Sequence, residues 1–515
     1  MESRKGFKNL AVSIIYKILV FGIGLVLPRL FILSYGSEIN GLQSSVSQIF
    51  VYIALIEAGI GEASLQALFK PISKKDYNDA NAILSATTKL YNRIGFIYFG
   101  LLLVVGSIYT ILVPVVGLPW WNVLLYIIVS GATTGFNFFF MAKVSLIISV
   151  TGDGYISTYI SFAVYILTSI IKIICILLGL NIVIIQLSFL MVNLGSTFIY
   201  YLFAKKRYPW LNFKQTPNYE AINQSKSVFG HKISGIIFHN TDVLILTFFC
   251  DLKLVSVYTM YKLIFSNIDS LLATFGGSFN FIFGQTMFED KERYCKLIDY
   301  YEIAYSTIAT AIYLVTYALI NPFLGIYTRG ADIDYVYKWL PLLFYSMSIL
   351  NSGREAMLRT ITVSGHFKTT LSRSWIESVI NLISSIILVQ FVGIYGTLLG
   401  TVIALLYRSI DIIIYANHKI LNRSCKYNFS IWIVNIASSI IGMLILYKIN
   451  IAFTNYVGFI VWGLILLPCI FALCIIPQML VHKQQAKGLL GIISTKLKKL
   501  RKNKKENIED SIKND

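Results

Sequence analysis

The sequence predicts an all-α polytopic membrane protein, and three observations carry this prediction. Hydrophobic residues make up 56% of the 515 residues, whereas charged residues make up only 13%. A soluble globular chain carries roughly 25% charged residues, so half that fraction indicates a surrounding solvent that penalises charge. Long apolar stretches recur along the whole chain, and the loops between them alternate between basic and nearly neutral.

The apolar stretches are long enough to cross the ~30 Å hydrocarbon core of a bilayer. They lie near residues 10–33, 42–68, 90–114, 120–148, 156–178, 182–203, 229–249, 254–288, 301–323, 338–363, 373–391, 394–416, 430–449 and 456–480. The first is longer than the apolar region of a signal peptide, so we expect it to remain as a span. The sequence therefore predicts about fourteen transmembrane helices.

The charged loops set the expected orientation. Lysine and arginine concentrate in alternate connections, for example at Lys70–Lys75, at Lys205–Arg207 and in the tail that follows Lys496. The positive-inside rule places these connections and both termini in the cytoplasm, which for this chain means a multi-pass protein of the bacterial inner membrane. Most of the net charge of +19 is then topological, and a nucleic-acid partner is not needed to explain it.

Several function classes are disfavoured by what the loops and cysteines lack. The six cysteines are scattered singly without a C-x-x-C spacing, which supports neither a metal site nor a disulfide framework. The loops are too short for a soluble catalytic domain, and the phosphate-binding G-x-x-x-x-G-K-[ST] pattern is absent. We therefore expect no cofactor, no metal and no enzymatic activity.

Two segments of the chain resemble each other. In each, a helix ends in a Gly-containing cytoplasmic turn, a second helix leads to an outer glycine turn, and a third helix follows. The landmarks are Met141 and Arg354 at the start, 151–153 and 364–366 at the inner turn, Gly179 and Gly393 at the outer turn, and Tyr201 and Tyr415 at the end. Six spans separate the copies, so the repeat is parallel.

The repeat predicts two six-helix lobes. In transporters of this kind, the two lobes rock against each other and expose a central substrate alternately to either side of the membrane. The predicted divisions are 1–215 and 216–428 for the lobes, 429–482 for two further helices, and 483–515 for a basic cytoplasmic tail.

Four basic residues within the spans are candidates for binding an anionic headgroup. They are Arg29 in LPRLF, Lys143 and Arg354 at nearly equivalent places in the two repeats, and Lys172 in the fifth span. A charge in hydrocarbon costs a few kcal/mol, so those that persist usually face a cavity or a partner. Arginine matches phosphate oxygens bidentately and lysine supplies a point charge. Snorkelling to a helix end or pairing with a local carboxylate is the alternative.

Four carboxylates are candidates for ion coupling, because a membrane carboxylate that binds a proton is what such coupling requires. They are Glu57, Glu62, Asp242 and Asp269. Glu57 and Glu62 stand among small residues that equally favour close helix packing, and Asp242 has a structural alternative as a pairing residue within its lobe. Arg408 and Asp411 are spaced i,i+3, so neutralisation of each other is as good an interpretation as a site.

The N-terminal stretch VLPRLFILSYGSEINGLQSSVSQIFVYIALIEAGIGEASLQ resembles the polysaccharide-transporter branch of the multidrug/oligosaccharidyl-lipid/polysaccharide flippase superfamily. The shared features are the Tyr35-Gly36 turn, the 40–42 entry to the second span and the 57–61 core. The segment HNTDVLILTFFCDLKLVSVYTMYKLI looks like the family's seventh and eighth spans, with Asp242 and Tyr258 at typical places. The resemblance covers roughly the whole chain.

The resemblance implies translocation of undecaprenyl-diphosphate-linked oligosaccharide repeat units to the outer leaflet, where they feed O-antigen, capsule, exopolysaccharide or teichoic-type polymers. The implied mechanism is alternating access driven by a proton or sodium gradient. The implied partners are the lipid-linked oligosaccharide, membrane lipids, and the polysaccharide polymerase or ligase machinery. The Arg-rich first span associated with peptidoglycan-precursor flippases is lacking, which disfavours that branch.

Three alternatives compete with this interpretation. A multidrug or toxin exporter of the same superfamily is expected to stop near twelve spans and to hold acidic residues in its cavity. A membrane glycan polymerase or ligase is expected to carry a large outer loop, which this chain lacks. A purely structural membrane scaffold would not need Arg29, Lys143 and Arg354 within its spans.

Overall fold

The computed structural model describes residues 20–57, 59–222, 226–449, 451–488 and 491. These residues are mostly helical and include no strand, which confirms the all-α polytopic fold class. Residues 10–19 of the first predicted span and the basic tail from Lys496 lie outside the described residues.

The helices follow one another with short connections. The first group is α1 (Val20–Tyr35), α2 (Ser37–Ile53), α3 (Ile60–Lys74), α4 (Tyr77–Leu112), α5 (Trp120–Phe136), α6 (Ala142–Val150), α7 (Gly154–Leu177) and α8 (Ile182–Arg207). The second group is α9 (Lys226–Phe249), α10 (Leu252–Gly277), α11 (Asn280–Glu289), α12 (Lys291–Tyr327), α13 (Leu340–Val363), α14 (Phe367–Val392), α15 (Ile394–Tyr415), α16 (Lys426–Lys448) and α17 (Tyr456–Val481).

Helices lie in each of the fourteen stretches predicted as spans. Within the described residues, ten helical segments are long and apolar enough to cross a membrane, and α1 is apolar but shorter. The remaining three stretches contain α9, α10 and α13, which are 24, 26 and 24 residues long. Each of these three helices carries charged groups away from its ends, among them Asp242, Asp269 and Arg354.

Two predicted spans are divided rather than continuous. The stretch predicted at 42–68 contains α2, a 3-10 turn over Ala54–Glu57 and α3. Gly59 precedes α3 with a φ of 93°, a conformation that glycine adopts without a steric penalty. The stretch predicted at 254–288 is divided between α10 and α11, next to the Gly276-Gly277 pair.

The contacts divide the chain into two compact units. Unit 1 contains the described residues of 20–260, 327–335 and 370–400, and unit 2 contains 261–326, 336–369 and the described residues from 401 onward. The lobes predicted at 1–215 and 216–428 are bodies that would move during transport. The compact units do not test such motion, so the two lobes remain a prediction.

The core of unit 1 includes a cluster of apolar side chains from α2, α4, α5 and α8, extended by Leu252 at the start of α10. Gly41 of α2 lies directly against this last segment. A Cβ atom at Gly41 would stand 1.8 Å from the carbonyl oxygen of Leu252. Only glycine allows so close an approach of two backbones, which explains why the 40–42 motif needs it.

The beginning of α2 is capped by a distant loop. Gly36 offers no side chain at the N-cap position, and Asp332 takes its place by accepting hydrogen bonds from the Ser37 N–H at 2.9 Å and the Ser37 hydroxyl at 2.5 Å. Partial burial opposes the charge of Asp332, but the Ser37 hydrogen bonds outweigh it and lower the pKa of this carboxyl. The sheltered N-terminus of α2 thus favours a negative charge.

The two repeat segments have the same local order of elements. The inner turns contain Gly152 and Gly365 with φ of 77° and 73°, and the outer turns contain Gly179 and Gly393 with φ of 64° and 57°. The third helix of the first segment does not end at Tyr201 as predicted, because α8 continues to Arg207.

A tyrosine at or just after the C-terminal end of the third helix contacts each inner turn or the helix that follows it. Tyr208 donates to Asp153 at 2.8 Å in the first segment. Tyr415 donates to Thr369 at 2.8 Å in the second and lies 3.0 Å from Nδ1 of His366. Burial first, and then Asp153, raise the pKa of Tyr208 to about 12, so its hydroxyl remains a donor at neutral pH.

Candidate functional site

Arg29 lies on α1 within unit 1. Its guanidinium carbon is 5.9 Å from the centre of the Tyr327 ring, a cation–π distance. The Tyr327 hydroxyl donates to the backbone carbonyl of Leu25, one turn before Arg29. The tyrosine therefore fixes the helix backbone and covers one face of the guanidinium.

Lys143 lies on α6 and lines a cavity of about 510 Å³ in unit 1. The cavity walls include the rings of Phe140, Phe198, Tyr201 and Phe213 together with Leu194 and Thr197. The Lys143 amine is 5.1 Å from the centre of the Phe213 ring. Within the described part of the chain, no carboxylate lies at ion-pairing distance from this amine.

Lys172 lies on α7 and contacts an aromatic ring rather than an acid. Its amine is 4.2 Å from the centre of the Phe189 ring on α8. No carboxylate of the described residues pairs with it. Cation–π contacts of desolvated amines are worth about 2 kcal/mol, so the ring offsets part of the burial cost.

Arg354 belongs to unit 2 and is only 8% exposed on α13. Its Nη2 donates to Oδ1 of Asn351 at 2.8 Å, one turn earlier on the same helix. The next turn of α13 carries an intrahelical ion pair in which Arg359 lies 2.5 Å from Glu355. Arg359 also donates to the Tyr301 hydroxyl at 3.1 Å, so this helix carries three charged groups between residues 354 and 359.

The structure brings Glu57 and Glu62 into one polar group in unit 1. Glu57 accepts a hydrogen bond from the Tyr91 hydroxyl at 2.8 Å and from the backbone N–H of Gly61 at 3.2 Å. Glu62 lies 3.0 Å from the amine of Lys232 on α9, in a pair that is substantially exposed. The turn before α3 thus contacts α4 through Glu57, and α3 contacts α9 through Glu62.

Asp242 and Asp269 are each held by a tyrosine. Asp242 on α9 is 2% exposed and accepts from Tyr258 on α10 at 2.8 Å. Asp269, on the part of α10 that belongs to unit 2, accepts from the hydroxyl of Tyr313 on α12. The partner of Asp242 is the tyrosine that the family resemblance singled out.

The candidates therefore occupy several places. Glu57 and Glu62 share one polar group, whereas the predicted cations are divided between the units, three in unit 1 and Arg354 in unit 2. The predicted Arg408–Asp411 pair is confirmed at 2.5 Å. Among the described residues, no group of three or more acidic, histidine or cysteine side chains could hold a metal ion.

Sequence reasoning missed a buried polar network in unit 2. Arg423 donates to both carboxylate oxygens of Asp299 at 3.0 and 2.7 Å and to Asn417 at 2.8 Å. Asn417 donates to Asn428 at 2.8 Å, and Asn428 donates to Glu302, which is 2% exposed. The i,i+3 spacing of the two acids on α12 was a signal, but their basic partner is 124 residues away.

The comparisons with known proteins rest on structure alone. No protein-family model matches the sequence. No curated protein matches it.

Several solved transporters share the fold. A multidrug resistance MATE family transporter of the MOP superfamily, in an inward-facing conformation, superposes with a TM-score of 0.61 at 15% identity over 78% of this chain and 94% of its own. The lipid II flippase MurJ, in an inward closed conformation, gives 0.61 at 14% identity over 93% of this chain and 99% of its own.

A MOP superfamily transporter from Pyrococcus furiosus, described as having a binding pocket of reverse polarity, gives a TM-score of 0.52 at 15% identity over 81% of this chain and 96% of its own. The chain accordingly has the fold of MOP-superfamily transporters.

Proposed function

We propose that this chain is a flippase, not an enzyme, that translocates undecaprenyl-diphosphate-linked oligosaccharide repeat units across the bacterial inner membrane by alternating access. The repeat units would supply a surface polysaccharide such as O-antigen, capsule, exopolysaccharide or a teichoic-type polymer. A polymerase or ligase acting on the outer leaflet would take over the product.

One observation carries the proposal: the share of the chain that superposes on a lipid flippase. MurJ covers 93% of this chain, whereas the multidrug transporter covers 78%. The additional coverage is large enough for two more helices of the size of α16 and α17, which are 23 and 26 residues long. A lipid-linked substrate needs a surface for its long isoprenoid chain as well as a site for its headgroup, and additional helices supply apolar surface.

The cations support an anionic headgroup. Arg29 and Lys172 of unit 1 and Arg354 of unit 2 are each candidates for contact with the diphosphate, because guanidinium and ammonium groups form charge-assisted hydrogen bonds with phosphate oxygens. Arg29 and Lys172 each lie at a cation–π distance from an aromatic ring. Lys143, the fourth predicted cation, lines a cavity with almost no groups that could hydrogen-bond to sugars, so it is the weaker candidate for the headgroup.

The carboxylates support ion coupling. We assign the Glu57–Glu62 group as the first candidate, because Tyr91 donates a hydrogen bond to the half-buried Glu57 while Glu62 occupies a more exposed position. A proton or a sodium ion could neutralise the half-buried Glu57 during the cycle. Asp242 and Asp269, each held by a tyrosine, are the second and third candidates.

The alternative is an ion-coupled multidrug exporter. It is favoured by the fold likeness to the MATE transporter, whose TM-score of 0.61 equals that of MurJ. An exporter of cationic drugs requires acidic groups at the substrate, so the sign of the charge in the binding cavity distinguishes the two functions.

The deciding experiment deletes the gene in its source organism and measures surface polymer together with the lipid-linked intermediate. We expect surface polymer to disappear and undecaprenyl-linked oligosaccharide to accumulate on the cytoplasmic side. Normal polymer with increased sensitivity to cationic drugs would overturn the flippase and favour the exporter.

Complementation then tests the headgroup residues. R29Q and R354Q should each reduce export at least about tenfold, since a hydrogen bond to a charged group is worth ~1.5–3 kcal/mol. R329Q is the matched control, because Arg329 is an exposed loop arginine outside the predicted site. Membrane levels of each variant must equal the wild type, and normal export by R29Q and R354Q would remove both residues from the site.

A further inference from the structure

The cavity around Lys143 combines one cation with apolar walls. Thr197 and Tyr201 are its polar lining residues besides Lys143, and the remaining walls are aromatic and aliphatic. Such a lining solvates hydrocarbon well and sugar poorly, since a buried hydroxyl without a hydrogen-bond partner costs free energy. The cavity chemistry therefore fits an anion attached to hydrocarbon chains.

The amine of Lys143 lacks a protein counter-ion among the described residues. Its recorded neighbour is the ring of Phe213 at 5.1 Å, and a single cation–π contact replaces only part of the hydration that burial removes. An anion bound in the cavity would supply the missing charge. At about 510 Å³, the cavity has the size of a site for a small organic group.

The walls of the cavity open toward the lipid-facing surface of their helices. Phe140, Phe198 and Tyr201 are 51%, 61% and 53% exposed, and they lie on helical segments that are apolar enough to cross a membrane. A large apolar ring exposed on such a helix contacts acyl chains. A lipid could therefore enter sideways from the bilayer without crossing water.

Lys143 lies about two helical turns before the inner turn of its repeat segment. Lys143 precedes the inner turn at Thr151 by eight residues, or about 12 Å along a helix, and its long side chain can extend toward the headgroup layer. Helix α8, which supplies Tyr201, ends in the exposed basic residues Lys205–Arg207. Basic residues at this membrane surface attract anionic lipids.

We propose that this cavity, the Lys143 cavity, binds one anionic glycerophospholipid of the cytoplasmic leaflet, with the phosphate on the Lys143 amine and an acyl chain against Phe140, Leu194 and Phe198. The occupant is a resident membrane lipid, not the transported substrate, because the lining offers no set of groups for sugar recognition. The site stands independently of the proposed transport function.

The test uses the full-length protein in lipid nanodiscs, with phosphatidylglycerol and phosphatidylcholine of identical acyl chains as probes and native mass spectrometry as the readout of retained lipid. The wild type should retain one phosphatidylglycerol in preference to phosphatidylcholine. K143Q should weaken retention about tenfold, as expected for loss of a charge-assisted contact, and K143R should preserve it. K419Q is the matched control, because it removes one exposed lysine that does not line the cavity, and it should retain phosphatidylglycerol as the wild type does.

A second variant tests the cavity without changing the charge. L194W should fill the space, keep Lys143 and lose the retained lipid, so it decides the question even if K143Q does not fold. Equal retention by the wild type, K143Q and L194W would overturn the proposal. The proposal would also be overturned if undecaprenyl phosphate displaced phosphatidylglycerol from the wild type and failed to bind K143Q. The substrate lipid would then be the occupant of the cavity. Failure of the flippase function would leave these binding results unchanged.

Discussion

Burial decides what each ionisable residue of this protein can do, and sequence position alone does not report it. Glu302 and Asp242 are each 2% exposed and hydrogen-bonded by an amide and a phenol, respectively. Glu62 pairs with Lys232 in an exposed position. Exposed pairs contribute ~0–1 kcal/mol, so the buried groups carry the structural consequences.

The Arg423–Asp299 ion pair is the first interaction to test for its contribution to the free energy of unfolding. Both side chains are about one-fifth exposed, and the contact is bidentate at 2.7 and 3.0 Å. R423M should lower the free energy of unfolding by about 2 kcal/mol, because Asp299 and Asn417 lose a charged donor. Thermal unfolding of the detergent-solubilised protein measures this effect.

R207Q is the matched control for that experiment. Arg207 pairs with Asp153 at 3.3 Å, but its side chain is 60% exposed, so its loss should change stability by less than ~1 kcal/mol. An equally small effect of R423M would show that the buried network contributes nothing beyond an exposed ion pair.

His482 makes stability depend on pH. His482 is 6% exposed, and its Nε2 lies 2.7 Å from the Ser430 hydroxyl. Burial lowers the pKa of His482 below its usual value of 6.5, although a hydrogen bond with the Gln478 backbone opposes the shift. The folded protein therefore binds a proton at His482 less readily than the unfolded chain does.

The resulting stability is fully present above about pH 6.5 and is lost as the pH falls through the lower folded-state pKa. The melting temperature should fall between pH 7.5 and pH 5.5, and H482Q should flatten this dependence. H418Q, which replaces an exposed histidine, should leave it unchanged. A wild-type slope retained in H482Q would assign the pH dependence to other groups.

At the scale of elements, close helix contact depends on single glycines whose neighbours are remote in sequence. Gly41 on α2 abuts the backbone at Leu252, so a methyl group there meets a carbonyl oxygen that cannot rotate away. G41A should cost about 2–3 kcal/mol through overpacking. The measurement is the yield and melting temperature of the purified variant.

Gly195 on α8 provides the comparison, because a Cβ there meets nothing within 4 Å. G195A should be neutral or stabilising by up to ~1 kcal/mol, since alanine is the better helix former. If G41A and G195A behave alike, the close approach of α2 to Leu252 is not a constraint in the folded protein.

At the scale of the whole molecule, the distribution of charge makes a prediction about orientation. The connection after α3 carries Lys74 and Lys75, whereas the 328–339 loop contains Asp332 and Asp334 beside its few basic residues. The positive-inside rule then places the first connection in the cytoplasm and the second outside.

Labelling with a membrane-impermeant maleimide checks this orientation. In a cysteine-free background, R329C should react in intact cells, whereas S73C should react only after permeabilisation. Both positions are exposed in the structure, so a difference in labelling reports the side of the membrane. The opposite pattern would invert the topology and, with it, the direction of the proposed transport.

The fold class was predictable because a bilayer restricts the amino-acid composition of the segments that cross it. A chain that must satisfy every backbone polar group in hydrocarbon forms long apolar helices. The loop charges predict on which side of the membrane each connection lies. The division of the second stretch between α2 and α3 was not predicted, although Gly59 and Gly61 were visible in the sequence. A glycine that permits a break in a helix cannot be distinguished, from a single sequence, from a glycine that permits close helix packing.

The candidate residues were predictable as types but not as partners. An ionisable group within an apolar stretch stands out, and each of the eight candidates lies on a helical segment as expected. Their neighbours did not stand out: Phe213 beside Lys143, Phe189 beside Lys172 and Tyr313 beside Asp269 are ordinary aromatic residues in a chain with 33 tyrosines and 34 phenylalanines.

The sequence by itself determined that the chain is helical, that it belongs in a membrane, and which residues carry charge into the apolar stretches. Each of these properties is local, because it follows from the transfer free energy of residues in one segment. The tertiary structure alone decided that Asp332 caps α2 from 295 residues away, that Arg423 joins Asp299 across 124 residues, and that Lys143 faces a cavity. Such contacts depend on which helix faces meet, and that outcome is a property of the packed chain as a whole.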